Sequence, residues 1–123
     1  MTVTNEAIGK LADRLPLRVV SAEWQDPALL LHGDGWRMTV MTPWRVLLEG
    51  RLLLGSDNAD SDEVAKLLAG NIVATCRSQG SDSSLDPSLG FASGHVLEIF
   101  SVSPLEPWLL YLGEEVFVAS PSE

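Results

Sequence analysis

The chain is poor in cysteine, in tyrosine and in positive charge. Its 123 residues include one cysteine and one tyrosine, and eight Lys and Arg face seventeen Asp and Glu, for a formal charge of −9. A lone cysteine forms no internal disulfide. Binding to nucleic acid relies on Lys and Arg to displace counterions from phosphates, so eight bases scattered from Lys10 to Arg77 make nucleic acid an unexpected partner. The same charge disfavours anionic membrane surfaces. The longest wholly apolar runs, Trp108 to Leu112 among them, are five residues, well below a membrane span. The opening MTVTNEAIGK holds neither the basic nor the apolar region of a secretion signal, and the cytoplasm is the expected location.

What the chain does have is apolar content. At 46% it is too high for disorder, and the length suits a single domain with its own core. The acidic balance suits a partner with a basic face.

Two segments carry helix signals. Thr4 is a good N-cap, Val3 and Ile8 stand at hydrophobic-staple spacing, and Ile8, Leu11, Ala12 and Leu15 share one helical face before Pro16 ends it. This predicts a helix over residues 4–14. The second is predicted over 61–69. Asp60 caps it, Asp57, Asp60, Asp62 and Glu63 favour its positive end, Val64, Leu67 and Leu68 form its apolar stripe, and Gly70 follows it.

The rest reads as short strands punctuated by turn residues. In the first half these are Leu17–Trp24, Leu29–His32, Trp36–Met41, Trp44–Leu48 and Leu52–Gly55. In the second they are Ile72–Arg77, Leu89–Phe91, His95–Val102, Trp108–Leu112 and Glu115–Ala119, with Ser78–Ser84 as a hairpin tip. The two lists run in parallel. Ile8–Ala12 corresponds to Val64–Leu68, Gly35–Val40 to Gly94–Ile99, Pro43-Trp44 to Pro107-Trp108, and Leu52–Ser56 to Val116–Ser120. A tandem α-β-β-β-β-β duplication accounts for this order. The expected fold is one α+β domain of two repeats, about 4–56 and 60–120, with mostly antiparallel, hairpin-connected sheets, two helices and a pseudo-two-fold axis. One unit of about 56 residues has only a marginal core by itself, so the two are expected to bury their apolar faces together.

Alternation assigns the faces. Trp36, Met38 and Val40 with Trp44, Val46 and Leu48 in the first unit, and His95, Leu97 and Ile99 with Trp108, Leu110 and Leu112 in the second, are the expected core. The opposite face of the first unit carries Arg37, Thr39, Met41, Arg45, Leu47 and Glu49, whereas that of the second is apolar. Val96, Phe100, Leu109 and Tyr111 are therefore the candidate interface, since a contiguous exposed apolar patch marks a contact site. A covering helix within the monomer is the competing explanation.

No catalytic or metal constellation emerges. Cys76, aligned with Glu23, reads as a half-buried small hydrophobe. His32 and His95 fall where the other unit has Phe91 and Trp36, which favours packing over ligation. Counted from Asp57, the acids before Leu68 fail the calcium-loop pattern at its sixth and twelfth positions, and helix capping explains them. Gly33-Asp34-Gly35 is a hairpin turn. Trp44 and Trp108 recur as structural anchors, whereas Trp24 and Trp36 have no aromatic counterpart except His95 and form the candidate pocket for a small ligand between the repeats.

The segments Pro43-Trp44-Arg45, Arg51-Leu52-Leu53-Leu54-Gly55-Ser56, Leu89-Gly90-Phe91 and Pro107-Trp108-Leu109-Leu110 give the chain a resemblance. Over about residues 17–119 it resembles a family of small actinobacterial proteins built on a domain of unknown function, and more loosely it resembles immunity proteins that neutralise toxins. The resemblance implies no activity, cofactor or catalytic residue. The expected function is a non-catalytic protein-interaction module or homodimer, its partner a second copy or another protein. Small-molecule binding in a cleft between the repeats is the alternative.

Overall fold

Both predicted helices form where the apolar spacing puts them. In a computed structural model that describes residues 4–78, 87–100 and 108–118, α1 spans Thr4–Asp13 and α2 spans Ser61–Leu68. Ile8 and Leu11 of α1, and Val64 and Leu68 of α2, are buried; Ala12 is exposed. The Asp60 carboxylate accepts from the Asp62 N–H at 2.8 Å, filling one of the orphan donors at the helix start. Gly70 takes a left-handed φ of 81° after Ala69 ends the helix, and Asn71 Nδ2 donates to the Leu67 carbonyl at 3.0 Å. Val3, the Thr4 side chain, the serine-rich tip after Ser78 and Val102 lie outside the described positions.

Eleven strands are described: β1 (Leu17–Arg18), β2 (Ser21–Gln25), β3 (Ala28–Gly33), β4 (Trp36–Val40), β5 (Trp44–Leu48), β6 (Arg51–Gly55), β7 (Ile72–Ser78), β8 (Pro87–Phe91), β9 (His95–Ile99), β10 (Trp108–Leu112) and β11 (Glu115–Val118). The expected strand Leu17–Trp24 is two strands. β1 pairs with β7, and two residues later Val20 N–H donates to the His32 carbonyl, so the chain changes sheets there. All described pairings are antiparallel, in a six-stranded sheet β1-β7-β8-β9-β5-β6 and a five-stranded sheet β11-β10-β4-β3-β2. The architecture is α+β.

The connectivity departs from the hairpin expectation wherever consecutive strands lie in different sheets: β1 and β2, β4 and β5, and β9 and β10. β4 and β5 are joined only by Met41, Thr42 and Pro43, yet they do not pair with each other. β5 pairs with β9, matching Trp44 to Ile99, Val46 to Leu97 and Leu48 to His95. β4 pairs with β10, matching Val40 to Trp108, Met38 to Leu110 and Trp36 to Leu112. Each sheet thus combines a three-stranded meander from one half of the chain with a hairpin from the other, β1 adding an edge to the six-stranded sheet, and the two registers repeat position for position. Two bonds hold the crossing: Thr42 Oγ1 donates to the Phe100 carbonyl, and Phe100 N–H donates to the Pro43 carbonyl at 2.9 Å.

The helices follow the same plan. α1 packs against β7 and β11, and α2 packs against β2 and lies beside β6. The expected inner faces are buried in one cluster that includes Met38, Val46, Leu97, Leu110, Leu11 and Leu68, while Leu48 and His95 are half-buried. Burying a leucine fully contributes about 1.5–3 kcal/mol, so this shared cluster dominates stability.

Two bulges interrupt the ladders. One at Val73/Thr75 adds a residue to β7, so Cys76 pairs with Leu89 as Ala22 pairs with Leu31. The alignment of Cys76 with Glu23 is therefore one residue out. The other, at Val46/Leu47, leaves Leu53 of β6 without a partner in β5. The β3–β4 and β8–β9 turns fill space differently. The Trp36 indole donates to the Arg18 carbonyl at 3.1 Å and lies over Gly33, where a Cβ would overlap Trp36 Nε1 and crowd Arg18 O. The β8–β9 turn instead has Phe91, buried, and the smaller ring of His95. Gly33→Ala is accordingly expected to lower stability by about 1–3 kcal/mol through overpacking. An unchanged urea midpoint would contradict this packing.

Candidate functional site

The four residues of the expected interface do not form one patch. Val96 and Phe100 accompany the six-stranded sheet, and Leu109 and Tyr111 lie on the five-stranded sheet. The crossing of β5 and β10 divides the apolar face of the second half and sets each piece beside the polar face of the first. Arg37 pairs with Tyr111 in register, and its guanidinium lies 4.0 Å from the ring centroid. Arg45 lies 5.0 Å from the Phe100 ring and binds Glu98 at 2.6 Å. Arginine over an aromatic face is a favourable cation–π arrangement. All four candidates are half-buried, and Phe100 and Tyr111 carry this arginine cover.

Trp24 and Trp36 do not share a cleft either. Trp24 is in register with Leu29 and through it with Val40, whereas Trp36 is in register with Gly33. They sit at opposite ends of the sheet, about 13 Å apart along β4 at the usual strand rise. Trp24 packs edge-on against Trp44 at 5.2 Å and lines a shallow hollow with Asp26, Met41 and Pro43. Trp36 borders a different hollow with His32, Arg37 and Tyr111. A third hollow, of about 370 Å³, lies on the other side of Pro43 between Trp44, Leu52, Asp57 and Phe100. The Trp44 indole N–H is buried with no acceptor among the described residues.

Cys76 is half-buried on β7, and desolvation pushes its thiol up to about 12. A thiol so held is almost wholly protonated near neutral pH, and the thiolate is the nucleophile. His95 Nδ1 shares a hydrogen bond with Ser93 Oγ at 2.7 Å. Among the described residues no three His, Cys, Asp or Glu side chains converge as a metal site, and no helix is long and apolar enough to cross a membrane.

The feature that sequence reasoning missed is β6. It is the edge of the six-stranded sheet, and its leucines 52 and 53 are 63% and 43% exposed while Leu54 is buried. In register, Leu52 lies opposite Leu47 and Leu54 opposite Val46, so the bulge turns Leu53 out of the ladder. Each exposed leucine borders a hollow. Leu52 contributes to the one beside Phe100; Leu53 contributes to one of about 330 Å³ bounded by Leu54, Leu67, Glu63 and Lys66. Three successive leucines in Arg51–Gly55 were the available signal, because alternation cannot turn all three inward. No protein-family model matches the chain, and neither does any curated protein or solved structure.

The burial of Cys76 generates a two-part expectation. At about pH 8, iodoacetamide should alkylate the native thiol about a hundredfold or more slowly than the urea-unfolded thiol. Because the folded pKa exceeds the ordinary value of 9.0, the stabilising contribution is present below pH 9 and lost as pH rises toward 12. The stability difference between the protein and Cys76→Ala in urea titrations should therefore stay constant below pH 9 and shift above it, with the cysteine protein losing stability relative to the alanine variant. Fast native alkylation would contradict the buried setting.

Proposed function

We propose that this protein acts by binding another protein, without chemistry of its own, and that β6 with the adjoining side of α2 is the contact face. The observation that carries the reading is the pair of exposed leucines on an open sheet edge, each bordering a hollow. Edge strands ordinarily avoid such exposure with charge, proline or cover, and a retained apolar edge is an interaction site. The high pKa of Cys76 argues against the nucleophile that an enzyme reading would need. Its free thiol fits a reducing compartment, and we assign the protein to the cytoplasm. We also read the halves, about 4–56 and 60–120, as copies of one α-β-β-β-β-β unit related by a pseudo-two-fold; the matched registers of β4 with β10 and of β5 with β9 support this.

A second reading, small-ligand binding, is favoured by one observation: Trp44 lines the hollow beside Pro43 and its buried indole N–H lacks an acceptor among the described residues. A ligand there would quench indole fluorescence and add a constant mass to the native protein.

The contact reading is tested by placing a photo-crosslinking amino acid at position 53 in living cells, with exposed position 23 of β2 as the control. A discrete adduct at 53, weakened by Leu52→Ser and missing at 23, is expected. Equal adducts at both positions, or none at 53, would contradict it.

A further inference from the structure

This inference rests on reading β6 and α2 as a protein-contact face and concerns what that face takes. We propose that its occupant is a basic amphipathic helix of a partner protein, laid in the trough between β6 and α2.

The shape of the edge disfavours an added strand. A strand joins an edge by matching its backbone groups in steady alternation. The bulge at Leu53 interrupts that alternation in the middle of β6. At its far end the Gly55 N–H is already taken by Asn58 Oδ1 at 3.1 Å, and the Gly55 carbonyl by the Asn58 N–H at 3.1 Å. The edge thus offers side chains more readily than backbone. Between β6 and α2 those side chains form a trough with Leu53, Leu54 and Leu67 as its apolar wall and Glu63 and Lys66 on its rim. An amphipathic helix presents leucine-sized anchors at i, i+3, i+4 and i+7, and it docks in grooves of this kind.

The charge around the trough selects the sign of the partner. Glu63 lies on its rim, Asp62 precedes it in the first turn of α2, and Asp57 and Asp60 are exposed in the segment that leads from β6 into α2, against Arg51 and Lys66. None of the four acids forms a salt bridge among the described residues. A second copy docked by a two-fold would bring these acids against their own kind, in a chain that already carries −9. A helix with lysine or arginine on its polar face meets complementary charge instead, which raises association rate and fixes orientation.

The test uses the intact protein and a labelled synthetic peptide of about four helical turns, with leucines at i, i+3, i+4 and i+7 and lysines elsewhere. Matched peptides replace lysine by glutamate, replace leucine by serine, or add a central proline. Anisotropy titrations are expected to show the parent peptide binding at least about tenfold more tightly than any of the three, a margin of about 1.4 kcal/mol. Binding should weaken by a similar factor in Leu52→Ser/Leu53→Ser and in Asp57→Asn/Glu63→Gln, and be unchanged in Val20→Ser, which removes an exposed valine elsewhere. Equal binding of the serine or glutamate peptide, or indifference to the leucine variants, would overturn the proposal. So would a crosslinked adduct at position 53 with twice the mass of the chain, which identifies a second copy; the contact reading would survive that result. Absence of both peptide binding and adducts at 53 would overturn both readings.

Discussion

Strand β5 turns away from β4 after Pro43 and hydrogen-bonds to β9, and β10 makes the reciprocal move onto β4. This exchange is the constraint on which the rest of the molecule depends. Neither sheet is complete within one half of the chain. The core strands are buried only because Trp44 lies opposite Ile99 and Trp108 opposite Val40. α1 packs on a strand of the second half and α2 on a strand of the first, so the helices add to the same interdependence. A half-length unit would expose most of its apolar surface, which is the cost of small size that the exchange avoids.

The exchange also decides what the surface looks like. By laying β9 beside β5 and β10 beside β4, it places Arg45 by Phe100 and Arg37 over Tyr111. Apolar positions that would have been one broad face become two narrower ones, each with an arginine against its aromatic ring. What is left open is the edge strand β6, where alternation turns Leu53 away from buried Leu54 and a bulge sets Leu52, rather than Leu53, opposite Leu47, so that both leucines are exposed. The leucines have polar neighbours on the α2 side and aromatic neighbours on the β5 side, so the edge has two distinct flanks.

Much of this was legible from spacing. Both helices, the Asp60 cap and the inward faces of β4, β5, β9 and β10 follow from local pattern, because alternation and helical period report burial directly. Partner choice is different. Three residues between Val40 and Trp44 suggest a hairpin, and no local property of Met41, Thr42 or Pro43 says that β5 pairs with β9 instead. The grouping of Val96, Phe100, Leu109 and Tyr111 failed for that reason: each residue faces outward as expected, but on sheets that only the pairing defines. The shared cleft of Trp24 and Trp36 failed similarly, since register places them at opposite ends of one sheet. The bulges at Leu53 and Val73/Thr75 are single-residue insertions, and a repeat alignment with unequal loops absorbs them silently.

Disulfide trapping tests the exchange most directly. In a Cys76→Ala background, Leu47→Cys/Val96→Cys joins neighbours across β5 and β9, and Thr39→Cys/Leu109→Cys joins neighbours across β4 and β10. Arg37→Cys/Leu47→Cys instead joins positions that face each other only if β4 and β5 form their own hairpin. Under mild oxidation the first two pairs should close within one chain while the third stays reduced. Closure of the third pair with failure of the first two would contradict the exchanged sheets and the divided surface that follows from them.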